Sequence, residues 1–399
     1  MAQTRSNSST ALSVSATTHI VQDGLSSTIY VLLPILAQSF GITYAQVGLL
    51  KGIKSLSQAV LEFSSGWFSE RLGEYRLIIV GLVLSAVGYV LMSIAPGVIV
   101  VALCLLVVGA GTALHHAPSS ALIANGFAEG KRSSALGLYN ASGDIGKLAF
   151  TGLFSLGLGA GLGWHHVSVL YGLAAAVAAL GIWIATRSLK ATSTPNEKPD
   201  QPTQSAATGW GILHWRSFGA LLVITSIDTV VQASVLVFIA FLMLSKGVSL
   251  TLATAATVLV LAGGVVGKAG CGYLADRIGV RAAFTLIQIL TALGLVLVVV
   301  APNGLAMAAL IPLGAVVQGT STITYGFAAG LIDARRMARG YALLYSAGTL
   351  ASAIGPLSIG VIADLQGIDV AIYLIAAVTL LAIPPIYMLR MALPQPGQI

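Results

Sequence analysis

The sequence predicts an all-α membrane protein of twelve transmembrane helices arranged as two pseudo-symmetric six-helix bundles. Three observations carry that prediction. The 399-residue chain is 56% hydrophobic and only 8% charged, far below the roughly 25% charge of a soluble domain. Apolar windows recur at the roughly 20-residue length that crosses a bilayer. Landmark residues of the first half return about 205 positions later, the kind of internal duplication found in secondary transporters.

The apolar windows place helices at 14–40, 44–69, 76–95, 97–124, 133–158, 165–188, 214–244, 249–275, 281–301, 304–331, 338–363 and 369–391. The first eighteen residues are polar, with Arg5 as their only charge, and lack the apolar core of a cleavable signal peptide. The first hydrophobic helix is therefore expected to direct insertion. The polar run 189–213, rich in Pro, Thr, Ser and Gln, reads as a cytoplasmic linker between a bundle at 1–188 and a bundle at 214–399.

The net charge of +7 does not mark a nucleic-acid partner, because the charges form no patch. With the N-terminus inside, fifteen of the twenty Lys and Arg fall on cytoplasmic segments and only Lys246 on an external loop. That bias fixes the orientation, with both termini in the cytoplasm, and an even helix count. Cys104 and Cys271 sit in apolar stretches and form neither a disulfide framework nor a zinc pattern.

The duplication superposes Asp23 on Asp228, Gly66 on Gly272, Glu70 on Asp276, Arg71 on Arg277, Gly73 on Gly279 and Tyr139 on Tyr345. Its clearest segment runs Gly272-Tyr-Leu-Ala-Asp276-Arg277-Ile-Gly279-Val-Arg281 in the second half and Gly66-Trp-Phe-Ser-Glu70-Arg71-Leu-Gly73-Glu-Tyr-Arg76 in the first. The leading glycine permits close helix packing, the acid suits a neighbouring helix N-terminus, and the arginines suit ion pairs at an inside gate. The two segments resemble the G-x-L-x-D-R-x-G-x-R loops of the major facilitator superfamily, found between helices 2 and 3 and between helices 8 and 9. That resemblance implies alternating-access transport driven by the proton-motive force.

A charge at mid-bilayer costs about 3 kcal/mol on insertion scales, so each one needs a partner or a wet cavity. Asp144 and Asp228 each lie twelve residues from a cytoplasmic arginine, roughly 18 Å along a helix, which puts them near the membrane centre. Asp23 is the repeat mate of Asp228, and His19 stands one turn before it, a spacing that suits proton exchange near neutral pH or a structural hydrogen bond. These four residues are the candidate proton-coupling groups.

Helix 2 bears a polar stripe of Lys51, Lys54, Ser55, Gln58 and Glu62. Lys51, about 30 Å along the helix from Arg71, is able to snorkel to the outer headgroups. Lys54 and Gln58 are candidate substrate contacts. Glu62 and Lys268 occupy equivalent positions four residues before the motif glycines, where they either pair across the halves as a gate or are separately solvated.

On helix 5, Asn140, Asp144 and Lys147 share a face beside Tyr139, and Asp144 either neutralises Lys147 or lines a cavity with it. His115 and His116 on helix 4 point roughly 100° apart on a continuous helix, so at most one faces a cavity squarely. No metal site and no cofactor are expected. The second half is plainer, offering Gln232 and Tyr325 as further substrate contacts.

Within the superfamily, His19-x3-Asp23, Gln46-Val-Gly-Leu and His116-Ala-Pro-Ser-Ser resemble the fosmidomycin-resistance-like group of bacterial exporters. Two features depart from proton antiporters: helix 4 lacks their arginine and helix 5 their G-x3-G-P run, although Gly355-Pro356 on helix 11 has that look. The buried lysines fit a small anionic or zwitterionic solute. The resemblance points to export against protons, while a proton symporter importing a small organic anion uses the same residues. An intramembrane hydrolase would have only His116 with Ser119 or Ser120, and no oxyanion site accompanies them. The expectation is a monomer in a bacterial cytoplasmic membrane.

Overall fold

A computed structural model describes residues 2–127, 129–187, 210–333 and 337–389. The described residues form helices α1 (Ala2–Phe40), α2 (Tyr44–Leu72), α3 (Glu74–Met92), α4 (Val98–Ala113), α5 (His116–Gly126), α6 (Glu129–Gly159) and α7 (Trp164–Thr186). The remainder are α8 (Trp215–Ser245), α9 (Leu250–Ile278), α10 (Val280–Val300), α11 (Asn303–Ala329), α12 (Met337–Gln366), α13 (Ile368–Leu380) and α14 (Ile383–Met388). Most of the expected linker lies outside the described residues.

These fourteen helices make twelve spans. Ten spans are long and apolar enough to cross a membrane by composition alone. The other two are α2 and α6, with 29 and 31 residues, each longer than the roughly 20 residues that crossing requires. Their charged residues lower their hydropathy but not their reach.

Two expected helices are broken. The window 97–124 divides into α4 and α5 because Pro118 has no N–H for the Leu114 carbonyl, and its ring crowds that turn. The helix restarts with the proline in its first turn. The last window divides likewise before Pro384 and Pro385, where α14 begins. At the other end, α1 starts at Ala2 rather than near residue 14. Its serine-rich stretch packs on α5, where the Ser8 hydroxyl donates to the Gly126 carbonyl and Ser15 to Ser119 at 3.3 Å.

Packing divides the chain into two compact units, Met1–Pro202 with Gly247–Val258, and Thr203–Lys246 with Leu259–Ile399. In the first, α1 packs on α6, and α3 on α4 and α7; in the second, α8 packs on α12, and α10 on α11 and α13. The backbone repeats as well. Gly41, Gly73 and Gly161 hold positive φ, and so do Gly247, Gly279 and Gly367, each 206 positions later. Gly73 and Gly279 have nearly equal angles, φ 83° and ψ 145° against φ 85° and ψ 148°, a region essentially closed to other residues.

Ile94, Ile99, Leu156 and Val177 are each at least 70% exposed, while His19, Asp23, Lys51, Lys54, His115 and Asp228 are buried. Apolar residues outside and ionisable residues inside are the distribution that a lipid solvent selects.

Candidate functional site

His19, His115, His116 and Lys147 of the first unit converge on one carboxylate, that of Asp23. α1 carries His19 and Asp23 a single turn apart; α6 carries Tyr139, Asp144 and Lys147. The two helices touch through glycine: a Cβ at Gly146 would lie 2.1 Å from the Ile20 carbonyl oxygen, and one at Gly143 would lie 2.5 Å from the His19 ring. This approach brings Lys147 Nζ to 3.1 Å from Asp23 Oδ2 and 3.3 Å from Asp144 Oδ1. His19 Nε2 is 3.2 Å from Asp23 Oδ2.

The break between α4 and α5 supplies the other side. His115 Nε2 lies 3.3 Å and His116 Nε2 3.8 Å from Asp23 Oδ1. Both histidines thus face the same carboxylate, contrary to the single inward histidine expected of a continuous helix. The 100° step between neighbours does not apply where Leu114 and His115 leave helical geometry, at φ −94°, ψ 19° and φ −120°, ψ −36°.

Hydrogen bonds place a proton on Nδ1 of two of the rings. His19 Nδ1 is 2.7 Å from the Tyr139 carbonyl oxygen and His115 Nδ1 2.5 Å from that of Thr112. A carbonyl only accepts, so each Nδ1 donates and each Nε2 faces Asp23. The His19 ring also stacks on Tyr139, with centroids 4.1 Å apart, and the Tyr139 hydroxyl lies 3.4 Å from His116 Nδ1.

A second set adjoins on α2. The Lys54 ammonium donates to the Ser26 hydroxyl, and to Gln58 Oε1 at 2.8 Å. Lys51 does not snorkel outward; it is buried, donating to Ser55 at 2.5 Å with the Tyr30 ring centroid 5.6 Å away. Among the described residues no carboxylate lies within 4 Å of either ammonium. Glu62 Oε2 is buried with no hydrogen-bond partner there.

In the second unit Asp228 is buried and held by neutral groups. The Thr320 hydroxyl lies 2.8 and 2.7 Å from its two oxygens, and Gln232 Nε2 donates to Oδ2 at 2.7 Å and to Thr320 Oγ1 at 3.2 Å. Tyr325 lies in an aromatic group, with the Tyr345 centroid 5.0 Å away. Asn140 is exposed and outside the Asp23 cluster.

At the motif loops, the Arg71 guanidinium stands 3.9 Å over the Trp67 ring and that of Arg277 5.0 Å over Tyr273, the same one-turn stacking in both halves. A Cβ at Gly272 would meet the Thr322 methyl at 3.3 Å. Asp276 is exposed and Lys268 half-buried; the side chains at Gly66 and Glu70 lie outside the description. Ser26, which sequence reasoning did not single out, lies three residues after Asp23 on the same helix face and accepts from Lys54.

A lipid-facing helical fold, duplicated backbone turns and a buried charge cluster define a membrane transporter. The Major Facilitator Superfamily profile matches residues 16–227 and 221–398, and the chain belongs to that family. Similar proteins include the uncharacterized MFS-type transporter YfnC of Bacillus subtilis, 28% identical over 129 residues, covering 32% of this chain and 31% of that one. The fosmidomycin resistance protein of Escherichia coli is 24% identical over 128 residues, again 32% and 31% of the two chains. The matches thus span about a third of those relatives. In fold the chain is similar to a bacterial homologue of the human lysosomal transporter Spinster, with a TM-score of 0.78, 16% identity, and coverage of 97% of this chain and 99% of that one.

Proposed function

We propose that the protein is a proton-coupled exporter of a small anionic or zwitterionic organic solute, working by alternating access in a bacterial cytoplasmic membrane as a monomer with both termini inside. The observation that carries the anion preference is Lys54, buried with a hydroxyl and an amide oxygen as hydrogen-bond partners, and with the carboxylates of Asp23 and Glu62 nearby but outside direct contact. A buried ammonium without a carboxylate in direct contact is costly, and a solute carboxylate or phosphate-like group relieves that cost. Lys147, held between Asp23 and Asp144, is the second cation, with Gln58, Tyr139 and the histidines beside it. Asn140, Gln232 and Tyr325 complete the proposed contacts.

Proton coupling is assigned first to Asp228. Its buried carboxylate has neutral donors and, among the described residues, no cation within 4 Å, so one proton changes its charge without breaking an ion pair. Asp23, with His19 and Asp144, is open to the same role, but Asp23 already neutralises an ammonium. The motif pairs Glu70–Arg71 and Asp276–Arg277, with Gly66, Gly272, Glu62 and Lys268, are assigned to gating.

Because the Escherichia coli relative is named for fosmidomycin resistance, fosmidomycin is the first solute to test, alongside a thermal-shift screen of small anions. In oriented proteoliposomes preloaded with the stabilising solute, an inward proton gradient should speed its exit. Net accumulation of external solute driven by the same inward gradient would instead establish the symporter reading.

A further inference from the structure

We propose that His19, Asp23, His115 and His116 form a binding site for one divalent transition-metal ion of the Zn2+, Co2+ or Ni2+ type. The four side chains offer one imidazole nitrogen from each histidine and a carboxylate oxygen, all within 4.8 Å of one another. A tetrahedral ion with bonds of about 2.0–2.2 Å sets its ligand atoms about 3.3–3.6 Å apart. His115 and His116 Nε2 stand 3.3 and 3.8 Å from Asp23 Oδ1, and His19 Nε2 stands 3.2 Å from Oδ2 of the same carboxylate, distances close to that spacing. Small side-chain rotations complete it.

The second observation is the orientation of the rings. His19 and His115 donate through Nδ1 to backbone carbonyls, which is the outer hydrogen bond that metal-ligating histidines make. On both rings the remaining nitrogen, Nε2, is the atom turned toward the Asp23 carboxylate. His115 Nε2 is fully buried and makes no hydrogen bond, although Asp23 Oδ1 is 3.3 Å away. An ion among them takes Nε2 of each ring and the carboxylate together as ligands. Three imidazoles and one carboxylate favour a borderline transition ion over Mg2+ or Ca2+, which prefer all-oxygen shells.

Lys147 is the group that opposes the ion. It occupies Asp23 Oδ2 and leaves Oδ1 facing His115 and His116. An ion on the Oδ1 side repels the ammonium, which has Asp144 as its other partner at 3.3 Å. Metal entry is therefore expected to transfer Lys147 toward Asp144, and removing the lysine charge is expected to tighten binding. The inference stands apart from the transported solute, because it is read on purified protein without transport.

The test uses tag-free full-length protein, Zn2+ titrated against a chromophoric chelator, and Co2+ followed by its visible absorption. The expected result is one equivalent per chain with a tetrahedral Co2+ band. Affinity should fall at least tenfold in Asp23→Asn and in His115→Gln, rise in Lys147→Met, and stay unchanged in the paired His165→Ala and His166→Ala control. If either ligand variant fails to fold, as judged by its melting curve, His116→Gln takes its place at the half-buried edge of the site. Binding below half an equivalent overturns the proposal. So does affinity within threefold of the parent in every folded ligand variant, or loss of binding in the control.

Discussion

Lys147 Nζ bridges Asp23 Oδ2 at 3.1 Å and Asp144 Oδ1 at 3.3 Å, so one ammonium ties α1 to α6 and separates two acids. Lys147→Ala leaves those acids facing each other inside the first unit. Because the lysine is a third exposed, the expected loss is about 1–3 kcal/mol, below that of a fully buried pair. A thermal melt in detergent should show a lowered midpoint, and adding Asp23→Asn should restore part of it. Strictly additive losses would contradict the coupling.

The α1–α6 contact depends on Gly146. An added methyl would overlap the Ile20 carbonyl, and a backbone atom yields less readily than a side chain. Gly146→Ala should cost about 1–3 kcal/mol and weaken the Lys147–Asp23 contact. Gly137→Ala, on the same helix with nothing within 4 Å of the new methyl, should change stability by less than about 1 kcal/mol. Equal melting points for the two variants would refute the close-approach account.

Gly73 and Gly279 are predicted to be equivalent in energy as well as in geometry. Alanine at either position forces a β-carbon into positive φ, at a cost of about 1–3 kcal/mol. Both single variants should melt earlier by similar amounts, as read by scanning fluorimetry. Full stability in either would show that the turn relaxes.

Lys54 should bind solute rather than hold the fold. Lys54→Gln removes the charge yet keeps a donor for Ser26 and Gln58. The melting point should stay near that of the parent while the Kd for the stabilising anion rises about tenfold or more, consistent with the loss of a charge-assisted hydrogen bond of about 1.5–3 kcal/mol. An unchanged Kd would remove Lys54 from the solute site.

The fold was legible because lipid imposes long apolar windows and because the duplication repeats the same turn glycines. The two charged spans, α2 and α6, were visible by length although their composition is less apolar. Within the site, the His19–Asp23 pair and the proximity of Asp144 to Lys147 followed from helical spacing alone. Convergence of His115 and His116 on Asp23 did not, because it depends on the break that Pro118 imposes and on a contact between segments about ninety residues apart. Asn140 shares its helix face with Asp144 by spacing, but its exposure could not be read from that spacing. Pairings within one helix are readable from spacing, whereas those made by interhelical approach need coordinates.

The measurement that tests proton coupling most directly compares the parent with Asp228→Asn in proteoliposomes, using fosmidomycin or the anion that gives the largest thermal shift. Asparagine retains an oxygen for the Thr320 and Gln232 donors but does not carry the proton. Transport driven by a pH gradient should be lost while solute exchange at equal pH continues. Gradient-driven transport at the parent rate in Asp228→Asn would contradict the account.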